Sequence, residues 1–185
     1  MDVLESNQPS KPMTSRALNA GLLIAAVGIV LNLVLYVSGM DMEMITNPAL
    51  SWANRIVSIG LSFYFIHAGL KKFRDEDRGG FLSVGQGIGF GSLAGLVSGV
   101  ITAIWVFIFT TFIDTGMIDK IKEVSLQQMQ EQGQSAENAE KAMEMMSMFF
   151  SPGFMAGMVV LSSVFFCFLC GLFAGLFLKK EKAYL

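Results

Sequence analysis

The sequence predicts an all-α membrane protein with four transmembrane helices, both termini in the cytoplasm, and an extracytoplasmic amphipathic helical segment between spans three and four. Three observations lead there. Of 185 residues, 53% are hydrophobic and 15% charged; the mean hydropathy of +0.56 lies outside the usual soluble range. The apolar residues are gathered into four long runs, at about 17–39, 50–70, 82–112 and 154–178. The third run carries a glycine at every fourth position, Gly87, Gly91, Gly95 and Gly99, continued by Ala103. Residues four apart share a helix face, so the ladder is a groove without side chains. Each interior glycine would cost a soluble helix roughly 0.8–1 kcal/mol against alanine. In a bilayer, where helices associate by close backbone approach, the same pattern is favoured.

Residues 1–15 are polar with two prolines and form an expected disordered cytoplasmic lead. The run from Arg16 to Gly39 has about 20 apolar residues, longer than the 7–15-residue core of a cleavable signal peptide, and is read as an uncleaved first span. Its one strongly polar side chain, Asn32, is expected to hydrogen-bond to a neighbouring helix, with ligand binding as the alternative. The connection Met40 to Pro48 has two acids, no Lys or Arg, and three methionines, Met40, Met42 and Met44.

Span two contains Arg55 and His67 and is followed at once by Lys71, Lys72, Arg74 and Arg78. An arginine at mid-bilayer would cost ~2.5–3.5 kcal/mol on insertion scales. Arg55 is therefore expected to snorkel outward or to pair with Asp41, Glu43 or Asp114, and a polar pathway is its alternative role. His67, near the cytoplasmic end, is read as interfacial rather than as a proton relay. Span three could rise ~46 Å at 1.5 Å per residue, more than the hydrocarbon needs. Its start, GQGIGFG, is expected to lie in the interface or to bend. Gly89, Gly91 and Ala94 match the spacing of a dinucleotide-binding turn, but no strand precedes them and no soluble βαβ unit surrounds them.

The polar segment 114–152 reads as two helical pieces, about Met117 to Glu131 and Ala136 to Phe149, broken at Gly133, with Ser135 as N-cap of the second. Apolar residues at near-helical spacing suit each piece to lie on the membrane surface or to cap the bundle. Span four carries Gly171 and Gly175, with Cys167 one turn earlier, and is the natural mate for the ladder. Residues 181–185 form a cytoplasmic tail. Nine basic residues flank the termini and the loop after span two: Lys11, Arg16, Lys71, Lys72, Arg74, Arg78, Lys179, Lys180 and Lys182. The other side has Lys120, Lys122, Lys141 and, at its edge, Arg55, so the positive-inside rule places both termini inside.

The glycine-rich GGFLSVGQGIGFGSLAGLVSGVITAIW, the Ile113-Asp114 that ends span three, and MQEQGQSAENAEKAMEMMSMFFSPGFM resemble bacterial membrane proteins of domain-of-unknown-function family 4199. The likeness runs from about Arg16 to Lys180. It implies a four-span, multi-pass protein of the bacterial inner membrane and supplies no catalytic residues.

The residues themselves argue against an enzyme. One histidine and two cysteines occur, with no acid at helical spacing from His67, no phosphate-cradling lysine loop and no HExxH. Cys167 and Cys170 read as small packing residues. No cofactor is expected. Net charge of −2 offers no field for nucleic acid. The expected partners are the lipid bilayer and, through the glycine faces, a second copy or another membrane protein. Met143, Met145, Met146 and Met148 are predicted on the same outward side as Met40, Met42 and Met44. Thioethers suit Cu(I), so a soft-metal site is the alternative to flexible apolar filling. Two function classes follow. One is a non-enzymatic structural or accessory membrane subunit; the other is a small transporter or channel, which requires Asn32 and Arg55, with His67 as a further candidate, to converge on one hydrated cavity.

Overall fold

Long apolar runs without interior proline favour helix, and the computed structural model, which describes residues 12–133 and 135–180, is all-helical there apart from turns and one isolated bridge. In order come α1 (Met13–Val37), α2 (Asp41–Thr46), α3 (Pro48–Lys72), α4 (Val84–Ile108), α5 (Met117–Glu131), α6 (Ala136–Met146) and α7 (Pro152–Leu178). α3 runs on into a π-helical turn, Phe73–Asp77, and α4 into another, Phe109–Ile113; a 3-10 turn, Ser147–Phe150, leads into α7. The expected lead falls mostly outside the described residues, as does the tail 181–185. Where it is described, α1 already begins at Met13, inside the expected lead.

Local chemistry sets the ends. Pro48 opens α3 at a position whose N–H would have no partner, and the Asn47 side chain accepts from Ala49 N at 3.0 Å. α4 starts with a capping box: Ser83 Oγ accepts from Gln86 N, and Gln86 Oε1 accepts from Ser83 N. From there GQGIGFG continues as one α-helix; the box fixes the first turn and the neighbouring helices hold the rest. Gly133, at φ +87°, ends the turn after α5, and Ser135 Oγ accepts from Asn138 N at the start of α6.

The four long helices form a ring in the order α1, α4, α7, α3, with the α4–α7 contact by far the most extensive. α4 and α7 are antiparallel, because Gly87 meets Gly175 and Gly99 meets Val160. α1 runs parallel to α4, with Gly21 beside Ala94 and Asn32 beside Trp105. The start of α1, the end of α3, the start of α4 and the end of α7 therefore share one end of the bundle, which holds Arg16, Lys71, Lys72, Arg74, Arg78, Lys179 and Lys180. α2, α5 and α6 lie at the other, with α2 packed on α3 and α5.

Among the described residues, three helices, Met13–Val37, Val84–Ile113 and Gly153–Leu178, are long and apolar enough to cross a membrane. α3 has the same 25-residue length as α1 but is diluted by Asn54, Arg55 and His67. Small residues are buried along α1 and α4, beside a core that also holds Ile66, Leu70, Leu82 and Phe90. The buried positions of α1 are Ala17, Ala20, Gly21 and Ala25, and those of α4 are mostly glycine, alanine and serine. Leu22, Leu23, Ile104, Phe107, Phe165, Phe173 and Phe177 face outward. An apolar exterior of this extent would drive aggregation in water and is the ordinary condition of a protein in lipid.

Candidate functional site

The ladder on α4 meets mainly backbone on α7, with Cys167 Cβ and Ser163 Cβ the side-chain atoms nearest Gly95 and Gly99. A Cβ added at Gly87 would lie 2.6 Å from Gly171 O and 2.7 Å from Gly175 Cα. One at Gly91 would press on Cys167 O and sit 2.8 Å from Gly171 Cα. At Gly95 it would be 2.8 Å from Ser163 O and Val164 Cα, and at Gly99 it would be 2.9 Å from Val160 Cα. A Cβ added at Gly171 would be equally tight in return, 2.9 Å from Gly91 Cα, while one at Gly175 would be looser, 3.3 Å from Gly87 Cα. Ala103, 8% exposed, continues the buried stripe. A methyl cannot be accommodated where the opposing atoms are backbone, so this seam exists only because α4 lacks side chains along it.

One hydroxyl pair crosses the same seam. Ser98, 1% exposed, lies 2.8 Å from Ser163 Oγ and 3.2 Å from Gly95 O. Ser163 donating to Ser98, and Ser98 to the carbonyl, satisfies both hydroxyls, which matters because an unmade hydrogen bond is expensive in an apolar interior. Cys167 and Cys170 are buried free thiols, and Cys167 Cβ packs against Gly95.

The three polar residues singled out within the spans do not converge. Asn32 Oδ1 accepts from Trp105 Nε1 at 3.0 Å, joining α1 to α4 beneath the Tyr36–Phe109 edge contact. Arg55 is exposed, with its guanidinium 5.6 Å from the Trp52 ring. The expected partner Asp114 is instead held by Lys120 at 3.2 Å, a partner only six residues away; the Asp41 side chain lies outside the described residues. His67 stacks on Phe63 at 5.9 Å, about 18 Å along the helix from Arg55. None of the three lines the cavity of about 130 Å3 between α1, α3 and α4, whose polar groups come from Ser58, Ser62 and Thr102. Breaking the Asn32–Trp105 bond is expected to cost about 0.6–1.7 kcal/mol, the range for interhelical hydrogen bonds in membranes. A double-mutant cycle with Asn32→Leu and Trp105→Phe, read by thermal melting in detergent, measures it; strict additivity would show that the bond contributes nothing.

A protein-family model described as protein of unknown function, DUF4199, matches residues 19–180. The chain belongs to the DUF4199 family. No curated protein and no solved structure matches it. In this DUF4199 chain the match takes in most of α1, all of α3, α4 and α7, and ends at Lys180, so the seam and its hydroxyl pair lie wholly inside it.

The methionines of the DUF4199 chain are divided between two faces. Met143 is 9% exposed, whereas Met145 and Met148 are 77% and 69% exposed. Met40 and Met44 are half-buried beside α3. The Met42 and Met146 side chains lie outside the described residues.

At the basic end, Arg16 Nε donates to Asp77 Oδ2 at 2.7 Å and its Nη2 to Glu76 Oε2 at 2.6 Å, stapling α1 to the turn after α3. Arg74 reaches Leu178 O at 3.5 Å. Leu82 and Lys180 exchange two backbone hydrogen bonds of 3.1 Å, closing the mouth of the α4–α7 pair. The Arg74 guanidinium, 2.6 Å away, holds the exposed Asp75 carboxyl below the usual carboxylate range, so that pair dissolves only as pH falls through the lowered pKa.

Two contacts carry little mark in the sequence. A Cβ added at Gly21 on α1 would lie 2.6 Å from Ala94 O, and one added at Gly69 on α3 would lie 2.7 Å from the Phe90 ring. The first had a signal in the spacing Ala17, Gly21, Ala25, a shorter copy of the α4 pattern. Gly69 stands alone and had none.

Proposed function

We propose that this DUF4199 protein is a non-enzymatic structural or accessory subunit of the bacterial inner membrane, crossing it four times with both termini inside. The observation that carries the reading is the packing of the α4–α7 seam through glycines, with many large apolar side chains left on the outer surface. α3 is the fourth crossing despite its weaker composition, because it matches the other helices in length and runs between the same two ends of the ring. The concentration of basic residues at the end holding both termini supports the orientation. The scatter of Asn32, Arg55 and His67 weighs against a conducting pathway.

Single cysteines at Ser38, Arg78 and Glu131, in a chain whose own two cysteines are replaced by alanine, test the topology with a membrane-impermeant maleimide on intact spheroplasts. Positions 38 and 131 are expected to label from outside and position 78 only after lysis. Labelling of 38 and 78 from one side would remove α3 from the count and the reading with it.

A further inference from the structure

We propose that the cleft between α1 and α3 at the basic end binds one anionic phospholipid, its phosphate held by Lys72 and Arg16 and its acyl chains laid on Leu22, Leu23 and Phe65. This inference rests on the membrane reading above. The cleft holds about 450 Å3 and its lining divides by chemistry. Arg16, Asn19 and Lys72 stand at one end, and Leu22, Leu23 and Phe65 line the other. The helices are antiparallel, yet both walls change from cation to hydrocarbon at the same depth: Arg16 to Leu23 and Lys72 to Phe65 are each seven residues, or about 10 Å along the helix. That is the profile of a phospholipid at the headgroup–acyl boundary, and basic pockets between helices on the cytoplasmic side are where anionic headgroups dock.

The two cations are prepared differently. Arg16 is fixed by Glu76 and Asp77, which use two of its five donors. Neither carboxylate lines the cleft, but together they offset the charge of Arg16, so the net positive charge of the lining comes from Lys72 while Arg16 offers its remaining N–H donors. Lys72 is exposed and makes no ion pair among the described residues. Leu22 and Leu23, each 50% exposed, supply the apolar floor. A zwitterionic headgroup would bring its own ammonium against these cations, which gives the site a preference for net negative charge.

Native mass spectrometry of the full-length protein in mild detergent, titrated with phosphatidylglycerol or phosphatidylcholine, tests this. One phosphatidylglycerol per chain is expected to be retained at least about tenfold more tightly than phosphatidylcholine. Lys72→Ala should weaken it about fivefold and Lys72→Glu by more than about tenfold, from roughly one such step per charge. Lys71→Ala, one residue away and outside the cleft, should change nothing. Melting in lipid-free detergent reports whether each variant folds, and Lys72→Gln carries the test if the charge reversal does not. Equal weakening by Lys71→Ala and Lys72→Ala would show diffuse surface attraction and overturn the site. So would equal retention of both lipids, or displacement of phosphatidylglycerol by millimolar inorganic phosphate. A chain that inserts into vesicles but shows no lipid preference overturns this proposal alone; one that fails to insert overturns the reading beneath it.

Discussion

Alanine in place of Gly91 is expected to lower the melting temperature in detergent by several degrees, although alanine is the better helix former. The added methyl would meet Cys167 O, Gly171 Cα and Gly171 N, all backbone atoms that no rotamer change can move. Relief requires α4 and α7 to part. Overpacking of this kind costs about 1–3 kcal/mol, against ~0.5–1 kcal/mol recovered from glycine's lower helix propensity. At roughly 2–4 °C per kcal/mol for a chain of this size, the loss is readable. A methyl added at Gly157, on α7 itself, would meet nothing within 4 Å, so Gly157→Ala should leave the melt unchanged or raise it. Leucine at both Gly91 and Gly95 should disperse the fold altogether. Equal melts for Gly91→Ala and Gly157→Ala would mean that the seam is not what holds the bundle.

Arg16→Ala is the second large effect. The change takes the guanidinium away from Asp77, whose side chain is 4% exposed, and from Glu76, which is 55% exposed. Breaking a buried ion pair from one side costs about 3–5 kcal/mol, and the solvent beside Glu76 reduces this to an expected loss of about 2–4 kcal/mol. Glu76→Ala alone should cost under about 1 kcal/mol. Arg16→Gln combined with Asp77→Asn should recover much of the loss, because neither partner is then a buried charge. Additive losses from those two substitutions would show that the pair is not coupled. Arg16→Lys keeps the charge but loses the fork that reaches two carboxylates at once, and should fall between.

How much of this was legible depends on the range of each interaction. Helix content, the apolar runs and the family likeness are local properties of the sequence, and the all-helical fold followed from them. The four-residue spacing of Gly87 to Gly99 likewise marks a face on a single helix. What lies across from that face is not local. Trp105 as the partner of Asn32, and Ser163 as that of Ser98, are set by how deep each helix sits in the ring, which no spacing records. Asp77 lies 61 residues from Arg16, inside a charge cluster that reads as merely solvated. Lys120 took Asp114 from Arg55 because a helix beginning at Met117 brings it near at little entropic cost. The α1 stripe of Ala17, Gly21 and Ala25 was present but camouflaged, since alanine is common in any apolar run.

The helix that fills the α4 groove, α7, is made after α4 and after the long connection of residues 114–151. Until it follows, α4 has bare peptide groups along one side and only α1 and α3 for company. A chain cut short before α7 would leave that side uncovered. Synthesis of α7 and sealing of that surface are thus one event.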